Sequence, residues 1–219
     1  MIQDNLKKIQ ETIPSGVTLV AVSKTKPAEM ILDAYAAGQR HFGENKVQEL
    51  TEKQEQLPKD IYWHLIGHLQ TNKVKYIAPF VHLIHAVDSL KLLKEINKQA
   101  KKNNRIISCL LQFHIATEDT KFGMTRAEVE ELINSDAYQE MENVKLCGVM
   151  GMATLTDNES RVREEFHHLK NEFEYFREKY FSDTDQFSVI SMGMSGDYQL
   201  AIEEGSTMVR VGSSIFGQR

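Results

Sequence analysis

Apolar residues in this chain fall into two patterns that alternate from end to end. One is a short unbroken run of strand length. The other is a longer segment in which apolar side chains recur every three or four positions. Eight runs of the first kind are predicted strands: Val17 to Ser23, His41 to Asn45, Tyr62 to His68, Val81 to Asp88, Ile106 to Ile115, Val144 to Ala153, Phe187 to Gly193 and Met208 to Ser213. Several are continuous rather than alternating, as strands covered on both faces should be.

The segments between them carry helix signals. An opening helix over about residues 2 to 13 presents Ile2, Leu6, Ile9 and Ile13 on one side. Pro27 suits a first turn, Ile31, Leu32 and Tyr35 share a face, and Gly38 follows as a C-terminal cap. Thr125 and Glu128 form a capping box ahead of Val129, Leu132 and Ile133. Val162, Phe166, Leu169, Phe173, Phe176 and Tyr180 trace one long amphipathic helix, and Gly205 closes the helix that holds Tyr198, Ala201 and Ile202.

Strand and helix alternating in this way, with no long linker, predict parallel strands joined by helical crossovers. The architecture that closes eight such units is a (β/α)8 barrel, here a single domain over residues 1–219 with an extra N-terminal helix. A doubly wound open sheet is the alternative. No G-x-G-x-x-G follows the first strand, so a dinucleotide-binding version of it has no support.

Composition narrows the function classes. The chain is 41% hydrophobic and 26% charged, which suits a compact globular fold. Its net charge of −5 argues against holding nucleic acid by bulk positive charge. The basic cluster from Lys98 to Lys102 falls at a predicted helix end, where cations oppose the dipole. Cys109 and Cys147 lie in apolar runs without a pairing motif, so buried reduced thiols are expected. No segment has signal-peptide character or approaches the ~20 apolar residues of a membrane span, so the protein is expected to be cytoplasmic, with no membrane partner.

In barrels of this kind reactive residues lie at the C-terminal ends of strands, and phosphate is often held after the seventh and eighth. Those places read SMGMSGD (Ser191 to Asp197) and RVGSSIFG (Arg210 to Gly217). Small residues let backbone N–H groups approach an anion, a following helix start adds positive potential, and Ser195 and Ser213 offer hydroxyls. Arg210 stands in mid-strand, either paired with a barrel carboxylate or aimed as a donor at a ligand. Lys24, at the end of the first strand, faces the same bowl. A lysine partly desolvated beside another cation supplies the neutral amine that attacks a carbonyl to form a Schiff base. Lysine, arginine and phosphate cradle together point to pyridoxal phosphate (PLP). Lys26 precedes Pro27 and is expected to be solvated. His64 with His68, and His82 with His85, lack an adjacent carboxylate ligand, and no metal site is expected from them. GMSGD is not a serine-hydrolase elbow, because Asp197 stands where the last glycine belongs.

Five stretches, VAVSKTKP, FGEN with VQE, WHLIGHLQTNK, KFGM and SMGMSGDYQLAIEEGSTMVRVGSSIFG, closely resemble the pyridoxal phosphate homeostasis proteins, also described as proline synthetase co-transcribed homologues. The resemblance runs nearly end to end. It implies a fold-type III barrel like the N-terminal domain of alanine racemase, with PLP held as a Schiff base on Lys24. It further implies that Arg210 faces the pyridine nitrogen, that Ser195, Gly212 and Ser213 hold the phosphate, and that Asn45, Ser191 and Met194 belong to the cofactor-binding set. Two stretches stand apart. LQFH (Leu111 to His114) replaces the more usual Q-V-N of the family, and Lys121 in TKFGM is marked by the resemblance without a derivable role.

The resemblance implies a carrier and regulator of PLP in vitamin B6 and amino acid balance, with no established catalytic reaction. Its expected partners are PLP, amino acids and PLP-dependent apoenzymes, and a monomer is expected. Racemases of the related fold take a second base, a tyrosine, from an extra domain of the partner subunit, whereas this sequence stops at Arg219, just after the eighth strand. Arg210 donating to the ring nitrogen would also keep that nitrogen unprotonated and make PLP a weaker electron sink. Two rivals stay open: a PLP-dependent amino acid racemase that finds its second base inside the barrel, and a cofactor-free Schiff-base aldolase acting on a sugar phosphate.

Overall fold

The computed structural model describes residues 1–116 and 122–218. Its strands are β1 (Thr18–Val22), β2 (His41–Glu44), β3 (Tyr62–Leu65), β4 (Leu83–Val87), β5 (Ile107–Gln112), β6 (Val144–Met150), β7 (Val189–Met194) and β8 (Met208–Val211). All pair in parallel and in sequence order, and β8 returns to β1 with Arg210 opposite Val20, so the sheet is a closed barrel and not an open one. The helices are α1 (Ile2–Glu11), α2 (Ala28–Ala36), α3 (Val47–Gln56), α4 (Val74–Ile77), α5 (Leu90–Lys102), α6 (Arg126–Asn134), α7 (Asp136–Gln139), α8 (Glu159–Tyr180), α9 (Tyr198–Glu203) and α10 (Ser213–Phe216).

Alternation along each strand sorts side chains into two cores. Val20, Leu83, Leu110, Cys147, Met150 and Met208 pack together in the lumen. Residues of opposite parity, such as Leu19, Phe42, Ile84 and Val209, face the helices in a larger outer core. The long helix α8 serves that outer layer by burying Val162, Phe166, Leu169, Phe173 and Phe176. Thr125 and Glu128 make the expected capping box at the start of α6, and Lys101 and Lys102 fall in the last turn of α5. Gly38 and Gly205 follow α2 and α9 at φ +95° and +98°, backbone that glycine adopts without steric cost.

The predicted strands run past the observed ones mainly at their C-terminal ends. β3 stops at Leu65 rather than His68, β5 at Gln112 rather than Ile115, β6 at Met150 rather than Ala153, and β8 at Val211 rather than Ser213. The apolar character continues there, but the backbone leaves the ladder to build a rim. Gly67 shows how closely: a Cβ on it would lie 2.5 Å from the carbonyl oxygen of Asn45. The first helix ends at Glu11 instead of residue 13, yet Ile13 still packs against the core. Cys109, in the outer core, and Cys147, in the lumen, are free thiols, and burial pushes Cys109 well above the usual thiol range, away from nucleophilic use. Among the described residues no helix is long and apolar enough to cross a membrane.

Candidate functional site

The C-terminal ends of the strands open onto a cavity of about 960 Å³. Lumen parity carries Val20, Val22 and then Lys24 inward, so Lys24, half-buried, lines that cavity just beyond β1. The residue after it is strained. Thr25 has φ 65°, a left-handed conformation that a β-branched side chain rarely takes and that costs of order 1–3 kcal/mol. Its N–H donates to Glu49 Oε1 at 2.5 Å, which helps hold the turn.

Glu49 belongs to a buried network behind Lys24. Lys53 Nζ on α3 donates to Glu49 Oε1 at 2.6 Å, to Glu44 Oε1 at 2.7 Å and to the Ser23 carbonyl at 2.7 Å, while Ser23 Oγ donates to Glu44 Oε1 at 2.6 Å. One ammonium thus serves two carboxylates. Burial pushes the Glu44 carboxyl up to about 7 against the opposing pull of Lys53 and Ser23, and its second oxygen, Oε2, has no partner. Burial also works against charge on Glu49, but the bonds from Lys53 and the Thr25 N–H outweigh it and hold that carboxyl below its ordinary range. The network fixes the backbone on both sides of Lys24.

Arg210 reaches the cavity from β8 with only 3% of its surface exposed. Nη1 donates to Ser191 Oγ at 2.7 Å and Nη2 to the Gly151 carbonyl at 3.2 Å. Among the described residues it makes no ion pair, so of the two alternatives for Arg210 the salt bridge to a barrel carboxylate is not the one found. Burial lowers its pKa to about 10, with the charge of Asp197 acting the other way, and the guanidinium stays cationic at neutral pH.

The two Gly and Ser tracts meet. The Gly212 N–H donates to Ser195 Oγ at 3.0 Å, joining the end of β8 to the turn after β7. Asp197 Oδ1 accepts from the Met194 N–H at 2.5 Å and shapes that turn. Ser195, Gly212, Ser213 and Met194 all line the cavity, as does Asn45 from the end of β2. Helices α9 and α10 are short, six and four residues, so the cradle rests on backbone N–H groups and hydroxyls more than on helix dipoles. Ser191 lies deeper, fully buried beneath Arg210.

Several features escape a reading of the sequence. Lys26 is not simply solvated: its Nζ donates to the carbonyls of Gly217 and Gln218 at 3.0 and 3.1 Å and ties the C-terminal tail to the cavity edge. Gln112, within the departing LQFH stretch, lines the cavity, whereas Leu111 faces the outer core. Thr154, on the loop after β6, is pinned by Glu165 through its N–H at 2.6 Å and its hydroxyl at 2.7 Å. Ser191 Oγ also pairs with His85 Nδ1 at 2.9 Å; His85 Nε2 pairs with His64 Nδ1 at 2.9 Å, and His64 Nε2 with His41 Nδ1 at 2.9 Å. Lys121 lies outside the described residues.

Comparison with known proteins places the chain in a family and a fold. The profile of the family described as alanine racemase, N-terminal domain, matches residues 1–219. The pyridoxal phosphate homeostasis protein of Aquifex aeolicus is 40% identical over 202 residues, covering 92% of this chain and 86% of that protein. PipY of Synechococcus elongatus, 34% identical, superposes over 99% of this chain and 100% of its own, with TM-scores of 0.90 without PLP and 0.89 with PLP bound. Alanine racemase of Clostridium difficile shares the fold at TM-score 0.72 and 15% identity, this chain spanning 56% of it. The chain with Lys24, Arg210 and the Ser195–Gly212 junction around one bowl belongs to the pyridoxal phosphate homeostasis protein family, built on the barrel of the alanine racemase N-terminal domain.

Proposed function

We propose that this chain binds pyridoxal 5'-phosphate and serves as a cytoplasmic, monomeric carrier in PLP and amino acid homeostasis, without a catalytic turnover of its own. The observation that carries the reading is the convergence of Lys24, Arg210, Ser195, Gly212 and Ser213 on one cavity. The residues suit the group. The cavity holds about 960 Å³, Gly196 has open space where a Cβ would stand, and the Ser195–Gly212 junction offers a hydroxyl, and an N–H once it is released from Ser195 Oγ, that a phosphate could engage.

In this reading Lys24 Nζ is the amine that would hold the cofactor through its aldehyde carbon, as a Schiff base formed with loss of water. Thr25 and the Glu44–Lys53–Glu49 network orient the lysine from behind. Arg210, held in place by Ser191 and the Gly151 carbonyl, would present its guanidinium to the pyridine nitrogen. Ser195, Gly212 and Ser213 bind the phosphate, and Asn45 and Met194 border the ring. Bound PLP supplies an electrophilic carbon that can accept amines. A cationic donor at the ring nitrogen leaves that nitrogen unprotonated and the ring a poor electron sink, which suits storage and delivery better than racemisation.

The test is borohydride reduction of the PLP-loaded protein followed by peptide mapping. A pyridoxyl label on the peptide carrying Lys24 is the expected result, and a label confined to Lys26 or Lys121 would refute the assignment. Pyridoxal without its phosphate should bind far more weakly, since each charge-assisted bond lost costs about 1.5 to 3 kcal/mol. Racemisation of a common amino acid at ordinary enzyme rates, of order 1 to 10³ s⁻¹, would overturn the carrier reading.

A further inference from the structure

The opposite mouth of the barrel holds a second group of chemically able side chains. His41 opens β2, His64 is the third residue of β3, and His82 directly precedes β4, so three consecutive strands each contribute one imidazole. One ring nitrogen from each lies within 4.8 Å of the others. The ring centroids stand 5.2 Å apart for His41 and His64, 5.3 Å for His64 and His82, and 5.7 Å for His41 and His82. Three imidazoles bound at ~2.0 to 2.1 Å around one tetrahedral ion put their ring centres roughly 5 Å apart, the spacing seen here.

We propose that His41, His64 and His82 form a site for a divalent transition metal of the zinc class at the N-terminal mouth of the barrel. Neither sequence pair of histidines makes this site; the parallel register of β2, β3 and β4 does. His41 Nδ1 and His64 Nε2 already stand 2.9 Å apart and need to open only to roughly 3.4 Å to share an ion. His64, fully buried, is held from behind by His85 through its other nitrogen, the arrangement that orients metal-binding histidines. The ring of Tyr62 packs 4.8 Å from His41 and 4.7 Å from His82, screening one side. His82 is exposed and leaves a fourth position open to water or a further ligand.

The charge state favours ligation. Burial lowers the pKa of all three rings, that of His41 to about 4, so each offers a lone pair at neutral pH. Arg105 is the opposing cation near His82, but its guanidinium is spent on the carbonyls of Ala78 and Val81 at 2.6 and 2.7 Å. An ion there would clamp three adjacent strands at the end of the barrel remote from the cavity.

Titration calorimetry with Zn²⁺ on the whole protein, and visible spectra with Co²⁺, test this directly. The expected result is one equivalent bound with micromolar or tighter affinity and the Co²⁺ bands of a four-coordinate site. His82→Ala, at an exposed position where folding should survive, should weaken binding at least tenfold, and His41→Ala should do the same. The proposal is overturned if no saturable one-to-one binding occurs. It is equally overturned if both variants bind as the parent does, or if affinity is lost instead in His167→Ala/His168→Ala, whose imidazoles lie near Glu204 at the α9 end and Glu172 on α8.

Discussion

Thr25 carries more of the candidate site than its ordinary sequence suggests. A left-handed threonine next to Lys24 costs free energy that the Glu49 bond repays in part, so the lysine is set on a turn with little freedom. Lys24→Ala should abolish covalent labelling and the associated visible absorption while the Ser195–Gly212 junction still binds PLP more weakly; equilibrium dialysis alongside borohydride reduction separates the two. Gly212 makes a second case. A Cβ there would meet the Val22 carbonyl oxygen at 3.1 Å and Val22 Cβ at 3.2 Å, so the crowding falls on the end of β1 and not in the cavity. Gly212→Val should therefore push the Gly212 N–H away from Ser195 and lower phosphate-dependent PLP affinity by about 10-fold or more, the worth of one such bond. Affinity equal to the parent's in a fluorescence titration would show that this N–H takes no part.

At the scale of elements, α3 is tied to β1 and β2 by one ammonium and two carboxylates, and the tie depends on pH. Glu44 titrates near 4.5 when unfolded and about 7 when folded, so between those values the folded state binds more protons and stability falls as pH rises. The loss is complete above about pH 7 and on the order of 3 kcal/mol at most, at 1.36 kcal/mol per unit. Glu44→Gln should remove that slope, and denaturant midpoints for the two proteins at pH 5 and pH 8 would show it as a difference that closes. Much of the element pattern was legible beforehand. All eight strands lie within the apolar runs or nearly so, because lumen and outer core both demand apolar side chains. Lys24 and Arg210 stood out because a cation in or at the end of such a run must be solvated, paired or aimed at a ligand. The Glu44–Lys53–Glu49 tie did not, since α3 reads as an ordinary charged surface helix and only its crossing with β1 and β2 buries Lys53. Nor could Thr25 be foreseen, because threonine advertises no left-handed turn. The histidines showed in pairs along the sequence, whereas their contacts run across strands and follow from register alone.

For the molecule as a whole, closure of the barrel between β8 and β1 is covered from outside by α1, which packs on α2 and on α10. Leu6 on α1 is fully buried, and the Asn5 side-chain amide donates to the Ile215 carbonyl at 3.2 Å. Leu6→Ala should cost roughly 2 to 5 kcal/mol and, because α10 begins at the Gly212–Ser213 cradle, should also weaken PLP retention. Thermal melting with and without the cofactor would reveal both effects, and a melting loss with unchanged retention would separate the helix from the cradle. The row of hydrogen bonds from Arg210 to His41 spans the barrel between its two mouths. A guanidinium gives hydrogens and takes none. Ser191 Oγ therefore receives from Arg210, and the assignment that leaves no hydrogen idle sends its own proton to His85 Nδ1. His85 must then give from Nε2 to His64, and His64 from Nε2 to His41, so all three rings share one tautomer and one sense of donation. An ion seated among His41, His64 and His82 requires a bare His64 Nε2, which reverses the order along the whole row and leaves Ser191 receiving from both sides. What loads one end of the barrel and what Arg210 meets at the other are claims on a single file of protons.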